Sequence, residues 1–184
     1  MRATGLENTT IRRIELADAA ALVAFYNGLS EASLRTFRPI HAPTTLERCT
    51  RLCVDNHVQV PTEFDVAAVR DGAVIGWSFL WHLDAHDPDE GPEFGLAVAD
   101  AYHGLGIGTA LTCHVLAWAD AQRLPYITLI VVQDNTVAQH IYEKAGFIRY
   151  GAFVGKDDGL PYYRMRRNRG SGCCPGQAVQ SLES

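Results

Sequence analysis

The stretch Glu93-Phe-Gly-Leu-Ala-Val-Ala-Asp-Ala-Tyr-His-Gly-Leu-Gly-Ile-Gly-Thr-Ala-Leu111 decides the fold. Glu93–Val98 is apolar and short enough for a strand, and from Leu111 onward Val115 and Trp118 continue one helical stripe. Between them Gly104, Gly106 and Gly108 let the chain curl, so that several backbone N–H groups and a helix N-terminus point at one anion. A phosphate or pyrophosphate suits such a turn. Two nucleotide motifs fail against it. The dinucleotide fingerprint needs its third glycine where Thr109 stands, and the P-loop needs Gly-Lys-Ser/Thr.

Working outward, Thr10–Leu16 reads as a strand and is followed by a helix with Asp18 as N-cap and Leu22, Phe25, Tyr26 and Leu29 at helical spacing. Ser30–Phe37 reads as a second helix. Thr44-Thr-Leu-Glu47 has capping-box form ahead of a third, which reaches about His57. Phe64–Arg70, the turn Asp71-Gly72 and Ala73–Leu83 form a hairpin, because Asp-Gly accepts the positive φ that such turns need. Beyond the Gly-rich turn, Tyr126–Val132 reads as a strand and Asn135–Ala145 as a helix stopped at Gly146. Phe147–Val154 and Pro161–Arg166 read as closing strands.

Two separate motifs resemble those of the GCN5-related N-acetyltransferases. Leu96-Ala-Val98 leads into His103-Gly-Leu-Gly106-Ile-Gly108, the form of that family's pyrophosphate loop. Asn135-Thr-Val-Ala138-Gln-His-Ile-Tyr142-Glu-Lys-Ala-Gly146-Phe147 is similar to its Asn-x-x-Ala-x-x-Leu-Tyr-x-Lys-x-Gly-Phe helix and turn. The resemblance covers Thr10 to Arg166. It implies an α/β (α+β) GNAT fold: a mixed, mostly antiparallel sheet of about seven strands with helices on both faces, parted by a β-bulge between strands 4 and 5.

The resemblance further implies acetyl-CoA as co-substrate, held by Leu96, Ala97, Val98, His103, Gly104, Leu105, Gly106, Ile107, Gly108, Thr109, Asn135 and Ala138. His103 stands where the family usually has Gln or Arg, which implies a modest loss of cofactor affinity. Val98 would present backbone groups to the pantetheine arm and the thioester carbonyl. Tyr142 would be the general acid, since a phenol can protonate a departing thiolate. Position alone leaves Tyr142 open to a plain packing role. Glu93 is the candidate base, and it reads equally as a solvated loop-end acid. By strand alternation it shares a face with Gly95 and Ala97, which leaves room for a substrate. Asn135 would contact the cofactor arm, cap its own helix, or do both.

Composition bounds the rest. The chain has 184 residues, 47% of them apolar and 20% charged, which suits one domain over 1–167 followed by a flexible C-terminal tail over 168–184. Sixteen Lys and Arg against 21 Asp and Glu give a net charge of −5, so no basic field exists to hold nucleic acid. Asp84, Asp87, Asp89, Glu90 and Glu93 equal that whole excess within one segment, which also reads as a solvated loop or as a lure for a cationic amine. No metal-ligand spacing is present, so no metal is expected. The five cysteines read as reduced thiols and the apolar runs are too short for a bilayer, so a cytoplasmic location and no membrane association are expected.

The function expected is acetyl transfer to a primary amine of a small molecule by direct attack in a ternary complex. A protein N-terminal or lysine acetyltransferase and a catalytically silent CoA-binding regulatory module remain alternatives. Homodimerisation is common in the family the chain resembles.

Overall fold

The computed structural model of the chain describes residues 6–85 and 91–171. Seven strands form one sheet: β1 (Thr10–Arg13), β2 (Phe64–Arg70), β3 (Ala73–Trp81), β4 (Glu93–Val98), β5 (Tyr126–Val132), β6 (Ile148–Val154) and β7 (Pro161–Asn168). Their spatial order is β1-β2-β3-β4-β5-β7-β6. The β4–β5 pair is parallel and every other pair is antiparallel. Asp71 and Gly72 take the positive φ values of 50° and 79° that the β2–β3 turn requires.

Helices cover both faces. On one lie α1 (Ala19–Asn27), α2 (Glu31–Thr36) and α3 (Leu46–Asp55), whose Leu22, Phe25, Tyr26 and Leu52 pack on Trp77 and Phe79. On the other lie α4 (Ile107–Ala121) and α5 (Thr136–Lys144), where Leu111, Val115 and Leu116 meet Val66, Ile75, Ile127 and Leu129. Alternation along β4 and β5 accounts for the division. Phe94, Leu96, Ile127, Leu129 and Val131 turn to the α4 and α5 side, while Glu93, Gly95, Thr128 and Ile130 turn the other way.

The sheet is two halves joined at one place. β4 meets β5 only at Glu93 opposite Thr128, where the Thr128 N–H donates to the Pro92 carbonyl at 2.8 Å. The bulge expected in β4 is absent. β4 keeps unbroken register with β3, from Trp81 opposite Glu93 to Gly76 opposite Val98, and β5 keeps unbroken register with β7. Each strand follows its own half of the twisted sheet, so the two diverge toward their C-terminal ends.

Other differences are local. Asp18 does not cap α1; its carboxylate takes two hydrogen bonds from Arg12, at 2.7 and 2.9 Å. β1 accordingly ends at Arg13, and a 3₁₀ turn carries Leu16–Asp18. Thr45 caps α3, accepting from the Arg48 N–H. Cys49 and Cys53 are buried free thiols, whereas the half-buried Cys113 is disulfide-bonded, which corrects its reading as a reduced thiol. The expected tail lies outside the described residues beyond Ser171. No helix among the described residues is long and apolar enough to cross a membrane.

Candidate active site

The Gly-rich turn forms an open cradle. Gly104 and Gly106 take left-handed φ values of 75° and 82°, and a Cβ at either position would meet nothing within 4 Å. Gly106 is the N-cap of α4 and no side chain caps that helix. The N–H groups of Ile107, Gly108 and Thr109, in its first turn, therefore have no intrahelical acceptor. Uncapped donors at the end of a 15-residue helix suit an oxyanion, so these residues fit the pyrophosphate of a CoA thioester. Leu96, Val98 and Ile141 lie beside Gly108 at the foot of the cradle.

His103 and Asn135 are both engaged. The His103 ring donates from Nε2 to the Val98 carbonyl at 2.8 Å, so it stands on one of the backbone groups expected to meet the pantetheine arm. Asn135 Oδ1 accepts from the Ala138 N–H at 3.2 Å, which makes Asn135 the N-cap of α5.

Tyr142 on α5 is 6% exposed and packs edge-on against Phe94, 5.8 Å between ring centroids. Its burial raises the hydroxyl's pKa above the ordinary value, and the hydroxyl has no hydrogen-bond partner among the described residues. Phe94 belongs to the α4 and α5 side, so Tyr142 and Glu93 approach the parting of the sheet from opposite faces.

Glu93 borders a cleft of about 650 Å³ together with His82, Thr128, Ile130, Tyr150 and Arg164. Burial raises its carboxyl pKa, and the nearby His82 partly offsets this. The room expected over Gly95 is filled. The Phe79 ring lies so close that a Cβ on Gly95 would come within 2.1 Å of it, and Phe79 stacks in turn on Trp81. The open volume lies on the other side of Glu93, over β5 and β7. Of the acidic segment, Asp84 also borders the cleft, while Asp87, Asp89 and Glu90 lie outside the described residues.

The sequence reading missed the far wall of this cleft. Thr128 faces Arg166 and Ile130 faces Arg164 across β5 and β7, so alternation in Pro161–Arg166 would have put both arginines on the Glu93 face once the strand order was known. Two arginines in and just after α2 are already engaged. Arg35 makes a bidentate pair with Asp134, at 3.0 and 2.8 Å, and Arg38 pairs with Asp158.

A family model described as the acetyltransferase (GNAT) family matches residues 12–147. The mycothiol acetyltransferase of Nocardiopsis dassonvillei is 30% identical over 156 residues, which are 77% of this chain and 46% of that protein. The chain spans 24–28% of other mycothiol acetyltransferases that it matches. Among solved structures, a GNAT-family acetyltransferase from Streptococcus pneumoniae is similar at TM-score 0.70 and 25% identity, over 88% of this chain and 99% of that one. A spermidine N-acetyltransferase from Vibrio cholerae, in complex with CoA and spermine, is similar in fold at TM-score 0.71 and 20% identity, over 90% and 98% of the two chains. With a family match across 12–147 and a parted seven-stranded sheet of the same architecture, the chain belongs to the GNAT acetyltransferase family.

Proposed function

We propose that this chain transfers an acetyl group from acetyl-CoA to the primary amine of a small molecule, by direct attack within a ternary complex. The observation that carries the reading is the placement of Glu93 and Tyr142 on opposite sides of the parting between β4 and β5, one beside an open cleft and the other beneath a packed helix. Acetyl-CoA, when bound, supplies an acyl group activated as a thioester.

The chain's residues have distinct tasks. The cradle from His103 to Thr109 holds the pyrophosphate through backbone donors, and Leu96, Ala97 and Val98 line the arm's path. Glu93 takes a proton from the acceptor's ammonium group, directly or through one water, and later releases it to solvent. Its raised pKa makes it a better base than an exposed glutamate. Tyr142 gives its hydroxyl proton to the departing sulfur as the N–C bond forms and the C–S bond breaks, and the second proton that the attacking nitrogen loses, passed on through water, restores the phenol. Burial keeps that phenol protonated until it is needed.

The test is thiol release from acetyl-CoA across a panel of amines, comparing the wild type with Glu93→Gln and Tyr142→Phe. The expected result is amine-dependent thiol release, lowered about 100-fold or more by each substitution, as general acid–base groups contribute. Transfer to peptides alone would favour a protein acetyltransferase. Acetyl-CoA binding without turnover on any amine or peptide would leave a silent CoA-binding module and overturn the proposal.

A further inference from the structure

The cleft beside Glu93 has two chemically different ends. At one stand Glu93 and Asp84. At the other is Arg164, whose guanidinium carbon lies 4.7 Å from the centroid of the Phe153 ring, itself stacked on Tyr162 at 5.3 Å. Arg164 differs from three other arginines of this side of the molecule. Arg35, Arg38 and Arg149 are paired with Asp134, Asp158 and Glu143. Arg164 has no carboxylate partner among the described residues, and its guanidinium sits over the Phe153 ring and borders an open volume. A guanidinium that meets a ring and no carboxylate of its own chain keeps N–H donors for a ligand, and those donors match the two oxygens of a carboxylate.

The distance between the ends follows from the sheet. Glu93 is opposite Thr128 on β5, and Arg164 is opposite Ile130 one strand further on. Two strand spacings of about 4.8 Å and two residues of about 3.3 Å put the two Cα atoms roughly 12 Å apart. Both side chains stand on the same face, so the gap left between their charged heads is that of a compact molecule.

We propose that Arg164 is the specificity-determining residue for the acceptor, and that the acceptor is an amino carboxylate, with its amine at Glu93 and its carboxylate on Arg164. This rests on the reading of the cleft as the acceptor site of an acetyltransferase. The same cation disfavours polyamines, because a second ammonium group would be brought against the guanidinium.

The experiment measures kcat/KM with acetyl-CoA for linear amino carboxylates of two to six carbons, for n-alkylamines of matched length and for diamines. The wild type is expected to prefer its best amino carboxylate over the matched alkylamine by about 10- to 100-fold, the range of one charge-assisted bidentate contact. In Arg164→Gln that ratio is expected to collapse toward one, and in Arg164→Lys to fall between, since the charge remains and the fork is lost. Thermal unfolding of each variant guards against misfolding, and the ratio, being internal to one enzyme preparation, is insensitive to partial loss of folded protein. Acetyl transfer to alkylamines or diamines with no preference for the carboxylate, or a preference that survives Arg164→Gln, would overturn this inference and leave the acetyltransferase reading intact. Absence of transfer to every amine would overturn both.

Discussion

Asp65 offers a sharp physical test because its carboxyl is fully buried on β2 and, among the described residues, no arginine or lysine forms an ion pair with it. Its hydrogen bonds come from indoles: Trp77 Nε1–H donates at 2.8 Å and Trp81 Nε1–H at 3.2 Å. Two neutral donors do not offset the loss of water around a full charge, and burial pushes the carboxyl up to about 8. An aspartate in the unfolded chain titrates near about 4. Between those two values the folded protein holds a proton that the unfolded chain has released, so stability falls as pH rises through that window and levels off above it.

At pH 7 the interval is about three units, and each unit is about 1.4 kcal/mol, so the acid costs the fold about 4 kcal/mol relative to a group that does not titrate. Asp65→Asn removes that cost. It also turns an amide N–H₂ toward the Trp81 N–H, which sacrifices about 1 kcal/mol. The net expectation is a gain of about 2–3 kcal/mol at pH 7 and a loss of about 1 kcal/mol at pH 4. For a chain of this size the gain corresponds to a rise of about 5–10 °C in Tm. Urea unfolding followed by tryptophan fluorescence, for wild type and variant at pH 4, 5.5 and 7, reads the difference directly. A variant destabilised by the same amount at all three pH values would refute the reasoning, since it would mean that the carboxyl keeps its charge inside the core.

Three further outcomes follow from the site. Because Glu93 is raised by burial, the acidic limb of the kcat/KM profile is expected above the ordinary glutamate range, and Glu93→Gln should abolish that limb along with most of the rate; stopped-time thiol assays across pH 4–9 measure it. Gly106→Ala forces a side chain into the left-handed region and is expected to weaken acetyl-CoA binding about 10-fold in calorimetry, with far-ultraviolet circular dichroism unchanged. Gly95→Ala drives a methyl into the Phe79 ring and is expected to cost about 1–3 kcal/mol in urea unfolding.

The parts legible in the sequence were those encoded by local rules. The Asp71-Gly72 hairpin, the Gly-rich turn ahead of α4 and the Asn135 cap each depend on residues within a few positions of one another. They stand where periodicity and turn chemistry put them. What local rules do not carry is contact across distant segments. Asp18 has the composition of an N-cap, but Arg12 claims its carboxylate. Gly95 reads as open space only until β3 brings Phe79 over it. Arg164 was invisible as a site residue because its significance depends on β7 lying beside β5, a neighbour relation that β6 precedes in the chain. The parting of the sheet was expected, but its cause was misread: it comes from two well-registered halves, with no local defect in β4.

The short helix α2 acquires a mechanical meaning from that construction. Ser30 and Ser33 donate to Asp100 just beyond β4, whereas Arg35 and Arg38 reach Asp134 beyond β5 and Asp158 between β6 and β7. One leaf of the sheet is gripped by hydroxyls and the other by guanidinium groups. The single pair Glu93–Thr128 then joins the two leaves, and α2 is a stay strung across their open mouth. Hydroxyl grips are indifferent to ionic strength, while exposed ion pairs weaken as salt is added. The stay is therefore sensitive to electrolyte on one side only, where it grips the leaf that carries Arg164.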